Sequence, residues 1–162
     1  MIKAILAIDD KGGVSKDGSM PWPRNAKDMT WFQSNTDGHI VIMGRNTWID
    51  PNMRAPLPKR INVLATNKEP NEYKDADVCI KGDLIEAVNN IHIEYPDKIK
   101  WIIGGPRIVS QLFTLIEEFY ITRIYGNFFC DTYLDINRIE SEMKIIKNIK
   151  GDTTCHFEIW SK

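Results

Sequence analysis

The chain has 162 residues, 43% hydrophobic and 27% charged, with a formal net charge of −1. That length suits one domain, spanning residues 1–162, with a real hydrophobic core, and leaves no room for two full ones. Scattered, balanced charge lacks the basic stripe of a nucleic-acid binder. Cys79, Cys130 and Cys155 form no Cys-x-x-Cys pair and are odd in number, which argues against a disulfide framework or a zinc site and fits a reducing cytosol.

In chain order, the apolar run Ile2 to Ile8 is ended by Asp9-Asp10. It is too short to cross a membrane and lacks a cleavage pattern, so it reads as a buried strand. The segment from Asp9 to Arg24, with Gly12, Gly13 and Gly18, is long for a connection in a compact domain and suits a lid or binding loop. A helix follows from Asn25 to Ser34, then a strand Ile40 to Met43 and a helix Arg45 to Ile49. Further strands are expected at Ile61 to Ala65, Val78 to Ile80, Trp101 to Ile103, Phe119 to Tyr125 and Cys155 to Trp160. Helices are expected at Asp83 to Ile91 and Pro106 to Ile116, the latter with Pro106 in the first turn, where its missing N–H costs little. Near-continuous apolar runs such as Trp101-Ile102-Ile103 predict strands covered on both faces, the mark of an α/β sheet. The C-terminal stretch shows strand signals with no helix between them, which predicts an antiparallel edge on a mostly parallel sheet.

Two features carry chemistry. Asp28 shares a helical face with Trp31 and Phe32, residues that want burial, so its carboxylate either caps the helix or is drawn into an apolar setting. In an open α/β sheet, ligands bind outside the carboxyl ends of the strands. There, Gly44-Arg45-Asn46-Thr47 and Gly104-Gly105-Pro106-Arg107 each run from a strand through glycine into a helix start. Free N–H groups and an arginine fork at such a place suit phosphate. Two of them imply a ligand with separated phosphate regions, such as a dinucleotide. Neither a Gly-x-Gly-x-x-Gly nor a P-loop motif is present, and His39, His92 and His156 are too far apart to suggest a metal.

Read together, the motifs resemble the dihydrofolate reductase family over nearly the whole chain. Ala7 through Gly18 is similar to the family's first strand and flexible loop, Met20-Pro21-Trp22 to its Met/Leu-Pro-Trp signature, and Asp28-Met29-x-x-Phe32 to its acidic helix. Val41 through Trp48 resembles its Met-Gly-Arg-x-Thr segment, Leu57-Pro58-Lys59-Arg60 its Leu-Pro-x-Arg, Ile103-Gly104-Gly105 its Gly-Gly turn with a cis bond, and Asp131-Thr132 its later Asp-Thr.

The resemblance implies a three-layer α/β fold with helices on both faces. It implies an NADPH-dependent reduction of 7,8-dihydrofolate, and expectations of a cytoplasmic monomer that binds neither nucleic acid nor membrane. For catalysis it implies Asp28, Trp22 and Met20. The Asp28 carboxylate would grip the amino-pyrimidine edge of the pterin with Thr122 behind it, Trp22 would help hold a water, and the proton would arrive through water beside Met20. Ile5, Met29, Phe32, Met53, Leu57 and Ile103 would enclose the substrate rings, and Arg60 would take its glutamate carboxylate. For the cofactor, Ala7 and Val14 would flank the nicotinamide. Gly44, Arg45, Asn46, Thr47, Gly104, Gly105, Pro106, Arg107 and Ile108 would hold phosphates and adjoining backbone, with Thr66 and Asn67 near the adenosine ribose and Gln111 near the adenine. No metal is implied.

Departures from the family pattern are Val109 in place of a usual tyrosine near the nicotinamide, Cys130 and Ser15 in place of frequent glycines, and one extra residue between Trp22 and Asp28. Two other readings stand beside this one. A pyrimidinone reductase of riboflavin synthesis is opposed by Met20-Pro21-Trp22 with Asp28 and Arg60. A fold-retaining binding protein without turnover is opposed by the retention of Asp28, Trp22, Arg45 and Arg60.

Overall fold

A computed structural model describes residues 1–68 and 72–162. Its centre is an eight-stranded sheet. Strands β1 (Ile2–Ile8), β3 (Ile40–Gly44), β4 (Ile61–Ala65), β5 (Val78–Ile80), β6 (Lys100–Gly104) and β7 (Glu118–Ile124) run parallel in the order β5-β4-β3-β6-β1-β7. The sheet continues with β10 (Cys155–Ser161) and β9 (Lys144–Lys150), antiparallel to β7 and to each other respectively. A separate small sheet pairs β2 (Gly13–Ser15) with β8 (Thr132–Tyr133).

The strands alternate their side chains between two apolar layers. Ala4, Ile8, Ile42 and Ile102 pack with Val88 and Ile91 of helix α3 (Leu84–Glu94) and with Val109 and Leu112 of α4 (Pro106–Leu112). On the opposite face Ile5, Val41, Met43 and Ile103 meet Trp31 and Phe32 of α1 (Ala26–Thr36) and Trp48 of α2 (Arg45–Ile49). Helix starts follow local chemistry: the side chains of Asn25, Asp83 and Asp135 accept from backbone N–H groups in the first turns of α1, α3 and α5 (Ile136–Glu142). Pro106 sits at the start of α4.

Three expectations need correction. Helix α5 lies within the C-terminal stretch read as helix-free, and the antiparallel edge is a pair of strands rather than one. Only Ile139 of α5 is buried, so its sequence carries almost no helical apolar stripe. The Pro106 helix is also shorter than expected, giving way at Phe113–Leu115 to a 3₁₀ turn.

Candidate active site

The carboxyl ends of β1, β3, β4 and β6 open into one cleft of about 1210 Å³. A pocket for one drug-sized ligand holds roughly 300–1,000 Å³, so the cleft is larger than one such ligand needs.

One half is apolar and built around Asp28. Asn25 caps α1 through a 3.0 Å bond from the Asp28 N–H, which sets the carboxylate on the first turn, facing the cleft with Met29 and Phe32. Ile5, Met53, Leu57, Arg60 and Ile103 complete this wall. Burial pushes the Asp28 carboxyl above its ordinary value of 3.8, and contact with the Thr122 hydroxyl offsets part of that. Thr122 is fully buried on β7, behind the cleft wall, and its Oγ1 has no hydrogen bond of full geometry. The contact with Asp28 is therefore a loose one.

Trp31 turns away from this wall and stacks on Phe157, ring centroids 4.4 Å apart. Trp22 does not line the cleft. It packs edge-on against Phe128 at 5.8 Å, in a cluster with Ile124, Cys130 and Phe157 that also supports Met20, which does line it. Arg60 pairs with Asp37 at 3.0 Å, while its buried Nε has no partner.

The other half is polar and cationic. Ala7, Val14, Gly44, Arg45, Asn46, Thr47, Thr66 and Asn67 line the cleft. Gly105, Pro106, Arg107, Ile108 and Gln111 of the α4 junction close it. Gly104 lies just behind. It has φ +127°, a cis bond to Gly105, and Leu6 and Thr47 so close that a Cβ would sit 3.2 Å from Leu6 Cδ2. A Cβ on Gly44 would stand 2.8 Å from Ile108 Cγ1, so only glycine lets α4 approach β3 here.

The segment between β1 and α1, termed the lid, borders the cleft through Val14, Ser15, Gly18 and Met20. Asp17-Gly18 makes a tight turn, both residues with positive φ, closed by reciprocal Lys16 and Ser19 backbone bonds. At its root, fully buried Asp9 accepts the N–H groups of Lys11, Gly13 and Phe128 and the Cys130 thiol. Burial pushes the Asp9 carboxyl up, but these donors outweigh it and hold it below the usual range. At the tip, the Ser19 hydroxyl donates to Asp50 Oδ1 at 2.8 Å.

A family model described as dihydrofolate reductase matches residues 1–161. The chain belongs to the dihydrofolate reductase family. A dihydrofolate reductase of Mycobacterium leprae is 34% identical over 135 residues, covering 83% of this chain and 74% of that one. The Bacillus subtilis enzyme is 28% identical over 152 residues, covering 93% and 84%. A solved structure of the Enterococcus faecalis enzyme, complexed with NADP(H) and RAB-propyl, has a TM-score of 0.79 at 23% identity, covering 99% of this chain and 95% of that one, and so is alike in fold.

Against the dihydrofolate reductase pattern, the departures fall in different places. Val109, on α4, is buried in the core and makes no part of the cleft wall. Ser15 lines the cleft, and Cys130 packs beneath the lid. Lys68 and Lys81-Gly82 line the polar half without having been singled out in the sequence. The signal was available, because both follow strands, β4 and β5, whose carboxyl ends are where an open α/β sheet binds ligands. Asp50 and Asn52 also line the cleft, and no motif marks them. Among the described residues no group of His, Cys, Asp and Glu is placed to hold a metal, and no helix is long and apolar enough to cross a membrane.

Proposed function

We infer that this chain reduces 7,8-dihydrofolate to 5,6,7,8-tetrahydrofolate with NADPH, each ligand taking one half of the cleft. The observation that carries this reading is the Asp28 carboxylate, set in the apolar half of a cleft whose other half is lined by Arg45, Arg107, Lys68 and Lys81. An apolar slot with one carboxylate suits a flat heterocycle presenting an amino group beside a ring nitrogen, bound by two parallel hydrogen bonds. A wall of cations suits a phosphorylated cofactor, which when bound supplies the hydride.

Asp28 orients the pterin and draws positive charge toward it without touching the carbon that receives hydride. Thr122 steadies the carboxylate from behind. Met20, resting on the cluster that holds Trp22, covers the approach by which water delivers the proton to the adjacent ring nitrogen. Ile5, Met29, Phe32, Met53, Leu57 and Ile103 exclude bulk water from the rings. Arg60, with Nε unpartnered, takes the glutamate carboxylate of the substrate.

Arg45, Thr47 and the Gly104 to Ile108 junction hold the cofactor's phosphates, with Gly44 and Asn46 supplying adjoining backbone. Ala7 and Val14 flank the nicotinamide. Thr66, Asn67 and Gln111 take the adenosine end. We also assign the activity to a single domain over residues 1–162, acting as a cytoplasmic monomer that binds neither nucleic acid nor membrane.

The test is spectrophotometric: NADPH oxidation that depends on dihydrofolate and is blocked by an antifolate. Oxidation that ignores dihydrofolate and follows the pyrimidinone substrate of riboflavin synthesis would replace this reading with the related reductase.

A further inference from the structure

Arg45 opens α2 at the carboxyl end of β3 and is exposed along the polar half of the cleft. Its Nε donates to the hydroxyl of Tyr73 at 2.9 Å. That tyrosine precedes β5, and its half-buried ring packs against the cluster containing Met43 and Leu64. The ring is thereby fixed while the hydroxyl reaches the guanidinium.

The partner's chemistry is the informative part. Arg60 is paired with Asp37, Arg123 with Glu158 and Arg138 with Glu142, so each of those charges is met by a carboxylate. Arg45 is held by a neutral phenol. Among the described residues no carboxylate forms an ion pair with Arg45 or with Lys68 and Lys81, which line the same half of the cleft. A phenol at Nε fixes the plane of the guanidinium and, among the described residues, both terminal nitrogens are left free and none of the charge is cancelled. Those nitrogens form a fork matched to two oxygens of a phosphate.

We propose that Tyr73 is the positioning residue that aims Arg45 at a phosphate monoester on the adenosine ribose, and so strengthens the preference for NADPH over NADH. This rests on the reading that the polar half holds the cofactor. Tyr73 itself does not line the cleft, so its effect passes through Arg45.

The test is Tyr73→Phe, which keeps the ring and removes the hydroxyl. The probes are adenosine 2′-phosphate and adenosine, titrated against the wild type and the variant. The dissociation constant for adenosine 2′-phosphate should weaken about 3- to 10-fold, the worth of one hydrogen bond, with adenosine unchanged. KM for NADPH should rise by a similar factor, while kcat and KM for NADH stay put. In an Arg45→Met background the same substitution should do nothing further.

Equal weakening toward adenosine and its 2′-phosphate would make Tyr73 a packing residue and overturn the proposal. Equal weakening toward NADPH and NADH would overturn it too, since Arg45 would then meet the bridging diphosphate. No change toward either probe would do the same. A wild type that binds adenosine 2′-phosphate but does not oxidise NADPH with dihydrofolate would instead count against the proposed reaction and leave the role of Tyr73 standing.

Discussion

Asp28 shows a conflict between stability and use. Burial raises its carboxyl above 3.8, and the Thr122 contact recovers only part of the loss. From about pH 3.8 up to the raised value, the folded protein keeps a proton that the unfolded chain has released. Stability therefore falls as pH rises through that window and stays lower above it. Replacing Asp28 with Asn removes the charge from its apolar setting while keeping the shape. The ligand-free variant should melt no lower than the wild type at neutral pH, and the advantage should vanish in acid below the window. Turnover should fall by about 10²-fold, the order of loss when a substrate is no longer held in reacting geometry, while NADP⁺ binding stays near wild type. Melting curves across pH, set beside steady-state rates, check both halves; a variant that is destabilised and fully active would contradict both.

At the scale of elements, legibility followed burial. The runs Ile61 to Ala65 and Trp101 to Ile103 are covered on both faces, and their apolar continuity gave them away. Strand β9, Lys-Ile-Ile-Lys-Asn-Ile-Lys, is exposed along nearly its whole length, with Ile145 and Ile146 in the open. Its sequence has no period because no face of it is buried. Strands β2 and β8 are too short for any period, and their pairing is set by contacts distant in sequence. The site divides in the same way. Asp28, Arg45 and Arg60 stood in recognisable motifs, whereas Tyr73, Asp9 and Asp50 acquire meaning only from what the fold brings beside them.

The lid root illustrates such a pairing. A Cβ on Gly13 would overlap the Cys130 side chain, with Sγ at 2.6 Å, and would crowd Asp9 Oδ1 at 3.1 Å. The small residue on one side makes space for the larger on the other. Gly13→Ala should cost about 1–3 kcal/mol, as overpacked sites do. Adding Cys130→Gly should restore most of it, although Cys130→Gly alone removes a donor to Asp9. A double-mutant cycle in denaturant measures the coupling; additive losses would mean that the two sides do not share this space.

Over the whole molecule, the cleft decides how the parts answer to one another. Its walls come from β1, the lid, α1, α2, the turns after β4 and β5, the α4 junction and Thr132, so a ligand filling it bridges segments from the first strand to well past the middle of the chain. Binding that bridges such distant segments stabilises the folded state by mass action, about 2.7 kcal/mol at a free concentration of 100 times Kd. For a chain of 150 to 250 residues each kcal/mol moves Tm by roughly 2–4 °C, so NADP⁺ at that level should raise Tm by about 5–11 °C. The cationic wall makes the affinity depend on charge, so added salt should shrink the rise for NADP⁺ more than for NAD⁺. Thermal melts with each nucleotide at low and high ionic strength test this. A rise for NADP⁺ that salt leaves untouched would remove Arg45, Lys68 and Lys81 from the binding of the phosphate.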